Sequence, residues 1–150
     1  MLLVDTNLLL LLVVGAHDPS QITRFKRTAK FSPDDYDRLN DFISDYAELL
    51  VTPNILTEVS NLAGQLADPL RGEVFASLAL IANQAMERYF PSRDAVREPD
   101  FTRLGLADIS VLLAAREKVA VLTDDLELYL ELAKLRLHVF NFDHLRFAAD

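Results

Sequence analysis

Met1-Leu2-Leu3-Val4-Asp5-Thr6-Asn7-Leu8-Leu9-Leu10-Leu11-Leu12-Val13-Val14 opens the chain. Leu2 to Asp5 carries no polar alternation until its last residue, the pattern of a short strand buried on both faces. The apolar run from Leu8 to Val14 reads as a buried helix ending near Gly15. Asp5 interrupts this pattern. An unpaired carboxylate in such surroundings costs several kcal/mol, on the order of the effective penalty for burying an ion. No Lys or Arg precedes Arg24, so the economical compensator is a bound cation shared with acids from elsewhere in the chain.

The remaining pattern alternates in the same way. Ser32-Pro33 starts a helix, with Ser as N-cap, Pro at the first helical position and Asp35 at the third. Leu49-Leu50-Val51 is a second buried strand, and Thr52-Pro53 starts the helix after it. Ile55, Leu56, Val59, Leu62, Ala63 and Leu66 form that helix's apolar stripe, and Asp68-Pro69 stops it. A further helix is expected over Leu70 to Tyr89. Phe90 to Arg103 reads as loop with a short edge strand. Helices over Leu106 to Glu117 and Asp125 to Arg136 bracket a strand over Val119 to Thr123, and a last strand covers His138 to Phe142. Strands separated by helices predict a three-layer α/β/α sandwich around a central parallel sheet, built as one domain. Ligands of such sheets sit beyond the carboxyl ends of the strands.

Composition narrows the chemistry. The chain has no cysteine, which removes disulfides and thiolate metal sites and agrees with a cytoplasmic, reducing setting. The run Leu8 to Val14 lacks the basic flank of a leader and falls well short of the roughly 18 apolar residues of a membrane span. A net charge of −8 argues against a broadly basic nucleic-acid-binding surface. The exception is His17 to Lys30, where Arg24, Lys26, Arg27 and Lys30 face the single acid Asp18. By charge alone this is a solvated surface segment; the sharper reading is a phosphate-contacting arm.

With 23 acidic residues in the chain, only their placement is informative. Asp5 closes the first strand. Glu58 lies roughly 90° around its helix from the centre of the apolar stripe, flanked by Asn54 and Asn61. Asp108 begins a helix that is apolar nearly all round. Thr123-Asp124-Asp125 follows the strand ending at Leu122. All of these map to one edge of the predicted sheet. Asp108 also suits a helix N-terminus, worth about 0.3–1 kcal/mol, and Glu58 alone would pass as a solvated helix acid. Asp124, with Glu127 three residues on, reads as a capping box, which leaves Asp125 as the freer carboxylate. Asp5 shows neither cap nor ion pair. Carboxylates without thiolates suit Mg²⁺ or Mn²⁺ rather than zinc, and His17, His138 and His144 lack metal-ligand spacing.

Val4 to Asn7 (VDTN), Thr52 to Leu62 (TPNILTEVSNL), Leu104 to Ala115 (LGLADISVLLAA) and Val121 to Leu128 (VLTDDLEL) resemble, in order, the four signature segments of PIN-domain nucleases. The resemblance implies a PIN-like sandwich that cleaves phosphodiesters, usually of RNA, with a divalent metal. Asp5, Glu58 and Asp108 match the first three family acids, and the Thr-x-Asp pattern of the fourth lands on Asp125. Thr123 matches the accompanying hydroxyl, Asn7 a polar residue that often supports the first Asp, and Ala107 a place where many members carry Thr or Ser. Many bacterial members are the toxins of toxin–antitoxin pairs, which implies an antitoxin partner, and dimers are common in the family.

The expected mechanism is in-line hydrolysis by metal-activated water. Asp5 and Asp108 would be direct ligands, with Glu58 and Asp125 joining directly or through water, and Thr123, Asn7 and Asp124 supporting them. The alternatives are a catalytically silent PIN-like binding module, or another acidic-edge α/β protein. Against the latter, a haloacid-dehalogenase-type phosphatase carries Asp-x-Asp where this chain has Asp5-Thr6-Asn7.

Overall fold

The computed structural model describes residues 1–147. In chain order the elements are β1 (Leu2–Val4), α1 (Thr6–Gly15), α2 (Gln21–Arg24), α3 (Pro33–Ser44), β2 (Leu49–Val51), α4 (Pro53–Ala63), α5 (Leu70–Gln84) and β3 (Met86–Glu87). There follow α6 (Ser92–Ala95), α7 (Phe101–Arg116), β4 (Ala120–Thr123), α8 (Leu126–Lys134), β5 (Val139–Asn141) and α9 (Phe142–Phe147). The five strands form one parallel sheet in the order β3-β2-β1-β4-β5. Helices cover it as a three-layer α/β/α sandwich, the architecture expected from the strand and helix pattern. No helix among the described residues is long and apolar enough to cross a membrane.

The opening segment sits at the centre. Leu2, Leu3 and Val4 are buried on both faces, with Leu2 beside Leu49 on one side and Ala120 on the other. Helix α1 packs against α3, α4 and α5. Leu8 to Val14 is buried except for the half-buried Leu12, which is why its sequence shows no polar stripe. From β1 the chain winds out to β2 and β3, then returns to the other side of β1 as β4 and β5. The strand order therefore reverses between β1 and β4, the place where doubly wound sheets open a crevice for ligands.

The Ser32 capping box with Asp35 and the Thr52 cap on Ile55 form as their sequences indicate. Several boundaries differ. Helix α4 ends at Ala63, before the Asp68-Pro69 stop. Helix α5 ends at Gln84 because Ala85 turns extended and Met86–Glu87 pairs beside β2, so the edge strand lies before Phe90 rather than after it. Phe90 to Arg103 holds α6 and the first turn of α7, with no strand. Gly105, at φ 82°, breaks α7 just before Leu106. The last strand is shorter than expected, since Phe142 already starts α9.

Candidate active site at the carboxyl edge of the sheet

The first acid is fixed by sheet and helix together. The Asp5 amide donates to Leu122 O at 3.0 Å, extending the pairing of β1 with β4 by one residue. Its Oδ1 accepts from the Thr6 amide at 2.7 Å and its Oδ2 from Thr123 Oγ1 at 2.6 Å. Asp5 is thus the N-cap of α1, a structural role its sequence context does not reveal. These donors do not offset its surroundings. Burial, with smaller contributions from the charges of Asp124 and Asp125, pushes its carboxyl up to about 6 against the lowering effect of Thr123 and Thr6.

The Thr123 hydroxyl also accepts the Asp125 amide at 3.0 Å. One side chain at the end of β4 therefore orients the first acid and shapes the turn that carries the fourth. Asp125 caps α8, its Oδ1 accepting from the Leu128 amide at 3.0 Å. This corrects the capping box expected at Asp124. The Asp124 side chain is instead almost fully buried and ion-paired with Lys30, Oδ2 to Nζ at 2.6 Å, while Glu127 pairs with Arg103. Asn7 turns its amide toward Asp124 Oδ1 at 3.5 Å, at the limit of a hydrogen bond, and not toward Asp5. Capping leaves Asp125 one carboxylate oxygen and does not remove it from the cleft.

Glu58 and Asp108 complete the edge. Exposed on α4, Glu58 accepts from Thr6 Oγ1 at 3.1 Å, a contact between α4 and the start of α1 that sequence spacing cannot show. Asp108 lies in the first turn after the Gly105 break. Burial, then the charges of Asp5, Asp125, Glu58 and Glu127, push its carboxyl up to about 7. Its helix is tied to α4 by a buried relay: Thr52 Oγ1 and Ser110 Oγ lie 2.9 Å apart, and Ser110 Oγ donates to Ala107 O at 2.6 Å. Because the Ser110 proton goes to Ala107 O, Thr52 Oγ1, which accepts the Ile55 amide at 3.2 Å, donates its own proton to Ser110. Thr52 was legible as a cap, but its partner is 58 residues away and leaves no local signal.

Asp5, Glu58, Asp108 and Asp125 line one polar cleft of about 270 Å³ with Thr6, Asn7, Gly105 and Ala107. Asp124 stands behind Asn7, outside the lining. Among the described residues, no Lys, Arg or His lies within 4.0 Å of the four lining carboxylates. None of the three histidines lines the cleft; His17, for one, meets Ser77 at 2.8 Å.

The donor set fits a hard divalent cation in kind: all oxygen, no thiolate, with two of its acids held up by burial and by their neighbours' charge. It is not yet closed around one. Among the described residues, no three acids or histidines are gathered tightly enough to grip an ion as they stand. Comparison with protein-family models and with curated proteins finds no match to this chain.

Proposed function

We propose that this chain is a Mg²⁺- or Mn²⁺-dependent endoribonuclease of the PIN type. The observation that carries this reading is the convergence of four carboxylates, from four separate elements, on one cleft at the strand-order reversal with no basic partner. In this reading Asp5 and Asp108 hold the ion, and Glu58 and Asp125 complete its shell directly or through water. When bound, the ion supplies Lewis acidity toward the phosphodiester and makes water a competent nucleophile near neutral pH.

The chain's own residues do the positioning. Thr123 donates to Asp5 Oδ2, and the Thr6 hydroxyl donates to Glu58 while its amide donates to Asp5 Oδ1. The Thr52–Ser110 relay fixes the helix of Glu58 against that of Asp108. Gly105 and Ala107 present backbone rather than bulk at the cleft wall, leaving room for a strand to approach.

Mn²⁺-dependent cleavage of structured and single-stranded RNA pools, with Asp108→Asn as control, tests the reading. Cleavage that persists in Asp108→Asn overturns it. The unclosed arrangement of the acids favours a second reading, a PIN-like binding module without turnover. The two part in a thermal-shift titration: the nuclease gains melting temperature with Mn²⁺ and the module does not. A toxin role with an antitoxin partner, and a homodimer, belong to the same proposal through the family resemblance. Co-purification with the product of an adjacent reading frame and the mass of the particle in solution test them.

A further inference from the structure

The basic segment singled out in the sequence is divided by the fold. Arg24 ends α2 and lines a separate cavity of about 490 Å³ with Asp18, Asp68 and Glu73. Arg27 Nε donates to Gln65 at 2.9 Å, and Lys26 is exposed. Lys30 alone is brought to the acidic edge, through Asp124, 94 positions away.

Lys30 is also held in place. Its Nζ lies 2.6 Å from Asp124 Oδ2 and 5.1 Å from the centre of the Phe31 ring. Its backbone carbonyl accepts from Arg146 at 2.9 Å. On the far side of Asp124 stands Asn7, which lines the cleft. An ammonium group has three donors, and among the described residues Asp124 is the one acceptor it meets. The side chain is 54% exposed, so the remaining donors face solvent beside the cleft.

Resting on the nuclease reading, we propose that Lys30 grips a backbone phosphate of a single-stranded RNA next to the one positioned for cleavage. Four carboxylates repel a polyanion, and an ion among them offsets that repulsion only at its own position. A fixed cation at the rim supplies the second point of attachment, and two points set the direction in which the strand crosses the cleft. Because Asp124 and the aromatic face already restrict the side chain, little rotamer freedom is lost when it binds.

A purely structural Lys30, present only to neutralise Asp124, is the competing account, and removing both charges together separates the two. The measurement is equilibrium binding of a short labelled single-stranded RNA with Mg²⁺ over a salt series, in the cleavage-deficient Asp108→Asn chain. Adding Lys30→Met should weaken binding several-fold and lower the slope of log K against log salt by about 0.7, the single-strand value for one phosphate contact. Asp124→Asn with Lys30 intact should keep the full slope. The Lys30→Met/Asp124→Asn pair, which leaves no buried unpaired charge, should still show the lower slope. An unchanged slope in that pair overturns the proposal and leaves the nuclease reading standing. No RNA binding by either the wild-type chain or Asp108→Asn overturns both.

Discussion

Thr123 donates to Asp5 across the β1–β4 boundary at 2.6 Å and accepts from Asp125 on its own strand's turn at 3.0 Å. One hydroxyl therefore sets the orientation of two of the four cleft acids. Thr123→Val keeps the shape but removes both bonds, leaving a part-buried amide and a buried carboxylate oxygen unpaired. A loss of about 1–3 kcal/mol in urea unfolding is expected, with weaker Mn²⁺ binding. Thr123→Ser should retain most of both.

The pH dependence of the metal-free protein follows from Asp5 and Asp108. Both carboxyls are raised in the folded state, from 3.8 to about 6 and about 7. Below the unfolded value both states are protonated and their contribution to stability is intact. As pH rises through the folded values, the unfolded chain has already ionised and that contribution is lost. Stability in EDTA should therefore fall between about pH 4 and pH 7 by an amount on the order of a few kcal/mol. Asp108→Asn should flatten the fall, and Mn²⁺ at pH 8 should reverse it. Calorimetry across that range checks all three.

Asp124 and Asp125 should separate by assay. Asn caps helices as well as Asp, so Asp125→Asn should leave melting nearly unchanged while reducing Mn²⁺ affinity and cleavage. Lys30→Met strands the buried Asp124 carboxylate and should cost about 1–2 kcal/mol, less than a fully buried pair because Lys30 is half exposed. Asp124→Asn should cost less than Lys30→Met. The reverse order in chemical denaturation would contradict the geometry.

The Thr52–Ser110 contact predicts coupling. Ser110→Ala and Thr52→Val should each destabilise by about 1 kcal/mol, and the double variant by clearly less than their sum, since the two hydroxyls satisfy one another. A double-mutant cycle measured in denaturant gives the interaction energy directly, and strict additivity would show the relay to be energetically silent.

The parts of this fold that were legible are those whose cause is local. Leu2–Val4, Leu49–Val51 and Ala120–Thr123 announce themselves as apolar runs because each is buried on both faces. Ser32-Pro33 and Thr52-Pro53 mark helix starts because capping needs only neighbours. Met86–Glu87 was hidden: two residues carry no period, and both are exposed beside a helical pattern. The α8 cap falls on Asp125 rather than Asp124 for a related reason. Asp124 and Asp125 both fit the spacing of a cap, and the choice is made by Lys30, far away in sequence. The convergence of Asp5, Glu58, Asp108 and Asp125 followed from topology, whereas Thr6, Ser110 and Lys30 depend on side-chain contacts between distant elements.

The order of the strands bears on when the cleft exists. Its first acid, Asp5, is made 120 positions ahead of its fourth, Asp125. The central strand meets β2 early, yet its other edge stays open until β4 is synthesised. Until then Asp5 has neither the Leu122 carbonyl beside its amide nor the Thr123 hydroxyl on its carboxylate. A nascent chain still tethered before β4 therefore carries only scattered acids, and the complete set meets only once β4 and the turn beyond it have been made.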